Sequence, residues 1–291
     1  MKDLPYVLLT LAVPFLTAAD AAQKPPSPDE AVIAALKAVG AEASRDDKGR
    51  VVGVTFRENP KFTEDALALL AKLPNLKSLS LADTPTTDAG LAHIENLTGL
   101  EFLTLTKTKV TDAGLAHLKK LTQLQVLNLS GTGVTGTGLA HLAGAKNLGF
   151  LYAGGSRFSD AGMVHLKEHR NLRRLFLSGS QITDAGLANL AGMNQIGCLL
   201  LQDTKISDAG LVHLKGLQGV SYLWLENTGV SDAGLEHLKG LPKLRSLGLG
   251  GTKVTDAGVK ALQQALPKCQ INHDPESAKR ARSQAKGVEG R

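Results

Sequence analysis

Beyond residue 50 the apolar positions of this chain change their spacing twice in every 24 residues. In the stretch from Leu97 to Lys120, Leu103 and Leu105 alternate as one face of a short strand, whereas Leu115 and Leu118, continuing to Leu121, recur every three residues as the buried stripe of a short helix. The pattern returns in phase. The glycine of a recurring Thr/Ser-Asp-Ala-Gly-Leu falls at 90, 114, 138, 162, 186, 210, 234 and 258, giving eight repeats of 24 residues without an insertion. A ninth, weaker copy precedes them, with Val51, Val54 and Phe56 at strand positions and Thr63-Glu64-Asp65-Ala66-Leu67 in the turn, one residue longer than the rest. Terminal repeats degenerate in this way where they cap a stack.

Within a unit, Thr111 is placed to cap the helix and Asp112 to face its positive end. Small Ala113 and Gly114 let the turn pass close to its neighbour, and Gly144, Gly192, Gly216 and Gly240 end the equivalent helices. Leu100-x-x-Leu103-x-Leu105-x-x-Thr108-x-Val110 resembles the leucine-rich-repeat signature. The Thr-Asp-Ala-Gly-Leu-x-x-Leu continuation resembles the cysteine-containing, ribonuclease-inhibitor-like subclass and its bacterial secreted relatives. The match runs from Val51 to about His273. It departs from the family where Asn or Cys is usual: Thr84, Thr108, Thr132, Ser156, Ser180, Thr204, Thr228 and Thr252 stand there, and a hydroxyl offers fewer hydrogen bonds than an amide, so a thinner ladder along the turns is expected.

The resemblance implies an α/β fold: a curved leucine-rich-repeat solenoid with a parallel sheet on the concave face, strands about 4.8 Å apart, and short helices on the convex face. The repeats then occupy 73–264. A cap at 23–72 contains a helix, short strands and the degenerate repeat, and a last strand at 265–273 covers the other end. In the cap, Ser27-Pro28-Asp29-Glu30 opens an amphipathic helix that Gly40 closes, and Lys48-Gly49 offers a turn before the Val51–Phe56 strand.

Composition adds the two ends and excludes several functions. Residues 1–22 read as a signal peptide: a charged start, an apolar run from Leu4 to Leu16 too short to span a bilayer, then Thr17-Ala18-Ala19-Asp20-Ala21-Ala22. The expected destination is secretion, the periplasm or the cell envelope, with no membrane span after cleavage. Residues 274–291 read as a disordered, mildly basic tail. A net charge of +6 on a near-balanced 21% charged fraction, with no aromatic residue among the basic ones of the tail, argues against a nucleic-acid partner. Two cysteines, Cys198 and Cys269, nearly three repeats apart, predict free thiols rather than a disulfide framework.

The residues flanking the inward leucines point to the concave side. Six of the nine aromatics beyond Phe15 occupy two columns there: Phe102, Phe150 and Tyr222 in the first, Tyr152, Phe176 and Trp224 in the second. Leu200 completes a run Tyr152-Phe176-Leu200-Trp224 on adjacent strands, and Arg174, Gln202 and Glu226 supply polarity. Aromatics concentrated where burial does not require them mark an interaction surface; the competing explanation is mutual stabilisation across the sheet with no ligand. Phe56 and Phe158 fall on inward positions and Phe62 in the cap.

The chemical-looking motifs belong to the repeat. His165-Leu166-Lys167-Glu168-His169 matches an inverted zinc-peptidase pattern, but His165 is one of a column with His93, His117, His141, His213 and His237, and His169 stands at a core leucine position. The repeated aspartates sit where helix starts want negative charge. Gly248-Leu249-Gly250-Gly251-Thr252-Lys253 lacks phosphate-loop spacing. No catalytic, metal or cofactor site is expected. The sequence reads as a non-enzymatic scaffold binding a protein or peptide, with a cell-surface polysaccharide or a second copy as alternative occupants of the concave face. The resemblance also extends to F-box-type ubiquitin-ligase adaptors, but no F-box-like helical segment precedes these repeats.

Overall fold

The computed structural model describes residues 28–56 and 61–274; the signal-like segment and most of the basic tail lie outside them. Eleven strands form one open sheet in chain order. β1 (Glu42–Arg45) pairs antiparallel with β2 (Val51–Thr55), and every later pairing is parallel. β3 (Ser78–Ser80), β4 (Phe102–Thr104), β5 (Val126–Asn128) and β6 (Phe150–Tyr152) are three residues long. So are β7 (Arg174–Phe176), β8 (Cys198–Leu200), β9 (Tyr222–Trp224), β10 (Ser246–Gly248) and β11 (Gln270–Asn272). The period of 24 fixes the register: Leu79, Leu103, Leu127 and Leu151 stand side by side, as do Leu175, Leu199, Leu223 and Leu247, each no more than 1% exposed.

Three residues beyond each of β3 to β10 stands a residue with left-handed backbone. Gly131, Gly155, Gly179 and Gly251 fill this position in four repeats, but Asp83, Lys107, Asp203 and Asn227 adopt it at φ 54° to 57° in the others, where a side chain is disfavoured. The next residue is the hydroxyl that stands where the signature usually has Asn or Cys, and except at Ser180, whose Oγ has no partner, it closes its own turn. Thr108 Oγ1 donates to Leu105 O at 2.8 Å, and Thr132, Ser156, Thr204, Thr228 and Thr252 do the same at 2.6 Å to the carbonyl three residues back. These hydroxyls do not link repeats. Backbone bonds do that: Leu105 N to Asn128 O and Lys107 N to Ser130 O carry the ladder past the strands.

On the convex side four repeats carry one α turn followed by a 3-10 turn, as in Asp88–Leu91 and Ala92–Ile94, and Gly114–Leu118 and Thr137–Leu142 are 3-10 throughout. The aspartate that opens each such turn reaches forward to the next repeat, a role beyond the expected helix-end charge. Asp184 Oδ1 accepts from Ser207 N at 2.7 Å and Oδ2 from Ser207 Oγ at 2.6 Å. The same pair of bonds joins Asp88 to Thr111, Asp160 to Thr183, Asp208 to Ser231 and Asp232 to Thr255. The carboxylate lies against the next repeat's glycine, so that a Cβ on Gly210 would stand 2.4 Å from Asp184 Oδ1. Thr/Ser, Asp and Gly thus form one clamp divided between two repeats. In the degenerate first copy, Glu64 plays the aspartate's part, accepting from Thr87 N and lying against Gly90.

One joint lacks the clamp. The third repeat has Gly136, at φ +94°, where the others have aspartate. Ser159 N bonds instead to Thr135 O at 3.0 Å, and fully buried Phe158 fills the space beside Gly136. The preceding joint is reinforced: Asp112 accepts from Thr135, Gly136 and Gly138. Burial would raise its carboxyl, but these donors outweigh it and hold the group below the usual aspartate range.

Each end of the sheet carries elements outside the repeat pattern. The helix Pro28–Ala38 stops before Gly40, at φ +76°, and Phe56 and Phe62 meet edge to face at 5.3 Å. The last helix, Asp256–Ala265, is a full α-helix, and Gln263 Nε2 donates to the carbonyls of Leu266 and Cys269, leading the chain into β11. Of the expected helix-ending glycines only Gly192 is left-handed; Gly144, Gly216 and Gly240 are not. Among the described residues no helix is long and apolar enough to cross a membrane.

Candidate functional site

The register brings the expected concave residues together. Phe102, Val126, Phe150, Arg174, Cys198 and Tyr222 are consecutive partners across β4 to β9, and Tyr152, Phe176, Leu200 and Trp224 across β6 to β9. A β-strand sends alternate side chains to opposite faces, so the buried leucines between them put both columns on the concave side. Tyr152 packs edge to face on Phe176 with ring centroids 4.6 Å apart, and the Arg174 guanidinium lies over the Phe150 ring at 5.0 Å. Both arrangements are favourable for π systems.

Exposure divides the set. Phe102 and Tyr222 are 41% and 49% exposed, Phe150, Tyr152, Phe176 and Trp224 are half-buried, and Leu200 is covered by its neighbours at 7%. Between Phe150, Arg174, Phe176, Cys198 and Tyr222 the floor dips into a shallow depression of about 570 Å³. It has the ingredients of a recognition surface: rigid aromatics, one cation and polar edges.

Gln202 and Glu226 do not present their polarity at the surface, as the sequence reading expected. Both are 4% exposed, because their long side chains fold along the floor rather than away from it. Gln202 Oε1 accepts from Ser178 Oγ at 2.5 Å. Glu226 lies against Gly248, where a Cβ would meet its carboxyl, and its Oε2 has no hydrogen-bond partner. Burial, slightly offset by its own backbone amide and reinforced by the charge of Asp203, pushes its carboxyl up to about 7. The reading missed this; an acid in a column of small residues was the available signal.

The motifs set aside as non-catalytic are dispersed. His169 is completely buried, its Nδ1 3.3 Å from Ala145 O and its Nε2 without a partner, whereas Glu168 is exposed and pairs with Lys146 at 3.1 Å. No group of three metal-ligating side chains occurs among the described residues. Cys198 and Cys269 are free, and burial pushes each thiol up to about 11, Cys198 against a smaller opposing pull from Arg174. They stand three strands apart, roughly 14 Å at the usual strand spacing.

The family model described as "Leucine Rich repeat" matches residues 120–143, 168–191 and 240–262. The chain folds as a leucine-rich-repeat solenoid. Its repeats share their fold with two solved structures from Listeria monocytogenes. Internalin C2 is 24% identical, with a TM-score of 0.58 over 77% of this chain and 92% of the other. A second internalin is 23% identical, with a TM-score of 0.53 over 70% and 69%. No curated protein matches the chain.

Proposed function

We propose that this leucine-rich-repeat protein is a non-enzymatic binding scaffold that takes an extended segment of a protein or peptide along the concave floor between Phe102 and Trp224. The observation that carries the reading is the continuity of the floor: four apolar side chains in register on β6 to β9, with Arg174, Phe102 and Tyr222 beside them. A floor of this kind offers aromatic anchors at little cost in side-chain entropy, and the solenoid holds them rigid before a partner arrives. The signal-like start of the sequence supports a place outside the cytoplasm, in the secreted or cell-envelope fraction.

Selection of displayed random peptides on the immobilised full chain tests the reading. Wild type is expected to enrich a peptide family, and Phe176→Glu/Trp224→Glu, checked for an unchanged circular-dichroism spectrum, to lose it. Val212→Glu, at an exposed convex position, keeps it. Equal enrichment by wild type and the double variant, or none by either, overturns the proposal. Glycan arrays and light scattering on the same proteins examine the polysaccharide and self-association alternatives.

A further inference from the structure

The geometry points to a receptor for one lysine or arginine side chain of the bound segment, formed by Glu226 in the notch beside Trp224; this rests on the concave floor being the binding face. On β10 the residue opposite Trp224 is Gly248, and the next position of that face, past the strand end, is Gly250. Two side chains are therefore missing from the floor. Into the first gap folds the Glu226 carboxyl, 4% exposed and with Oε2 unpartnered. None of the ion pairs among the described residues includes Glu226.

A buried carboxyl oxygen left without a donor is costly, and the floor of a binding face is where a ligand can supply one. The chemistry selects a cation. The carboxyl lies in the field of Asp203, across the turn that follows β8, while β10 contributes no charged side chain on its other side. A neutral donor would leave that negative field uncompensated. A lysine or arginine answers both demands, since its apolar stem can lie on the half-buried indole of Trp224 while its head donates to Glu226 Oε2. Gln202, the same position one strand earlier, is already satisfied by Ser178, so the preference belongs to β9 alone. Because an incoming cation favours the ionised carboxyl, binding releases a proton, and affinity rises as pH passes upward through about 7.

The peptides enriched by wild type carry the test. They are expected to contain a lysine or arginine at a fixed distance from their apolar residues. Peptides resynthesised with citrulline for arginine, or acetyl-lysine for lysine, should bind wild type about tenfold more weakly, read from the emission of Trp224, the chain's single tryptophan. Glu226→Gln, which keeps the side chain's shape, should bind charged and neutral versions alike and show no change in affinity between pH 6 and pH 8, whereas wild type tightens over that range. Enriched peptides lacking a basic residue, or a Glu226→Gln variant that still prefers the charged peptide, overturn the receptor while leaving the concave floor standing. Loss of all enrichment in wild type removes both.

Discussion

Two buried or half-buried polar residues decide more of this molecule's behaviour than their numbers suggest. His169 occupies a leucine position with its Nε2 unpartnered. Burial is the main influence on its imidazole and holds it below the ordinary histidine value of 6.5. The sign follows: the unfolded chain takes up a proton near pH 6.5 while the folded chain resists, so folding stability falls as pH drops below that value. His169→Leu should stabilise the fold by about 1 to 3 kcal/mol and flatten this acid-side loss, both read from urea denaturation between pH 5 and pH 8. At the clamp, Asp184→Ala and Gly210→Ala each break the same joint, one by removing the carboxylate and the other by placing a Cβ 2.4 Å from it. Their double-mutant cycle should therefore show the second change costing less than the first, with a coupling of about 1 to 3 kcal/mol. Additive losses would mean that the glycine serves some other neighbour.

Among the elements, the joint at Gly136 behaves differently from the rest. Restoring the consensus with Gly136→Asp places a side chain at φ +94° and within 2.6 Å of the Phe158 ring. Instead of repairing the clamp, it should lower stability by about 2 kcal/mol or more, measured as a fall in thermal midpoint. The strands and helix turns were legible in the sequence because leucine spacing is local and repeats in phase; Leu103 and Leu105 announce β4 without reference to anything distant. β1 was far less so, since Glu42–Arg45 shows no alternation and exists only through its pairing with β2. The aspartate's forward reach was hidden for a related reason: its partners lie 23 and 26 residues away, and a helix-start aspartate already has a sufficient local explanation. The concave columns followed from period and alternation. The inward fold of Gln202 and Glu226 did not, because length and rotamer decide where a flexible acid ends, and the gap at Gly248 that receives it lies one repeat further on.

For the molecule as a whole, the open sheet keeps one apolar ladder inside and one mixed face outside, and the proposed binding reading depends on that separation holding across β4 to β9. The arrangement of the clamp has a further meaning for how such a chain can grow. An internal unit carries both halves of a joint, a glycine that receives the carboxylate behind it and an aspartate that reaches the hydroxyl ahead. A copied unit spliced in frame therefore mates with its neighbours on either side, and the array can lengthen or shorten in steps of 24 residues, widening or narrowing its recognition floor by one strand each time. Splices at Gly136, where the neighbouring ring and glycine are matched to each other alone, are the exception, and the terminal unit built around Glu64 is a fixed starter rather than an interchangeable link.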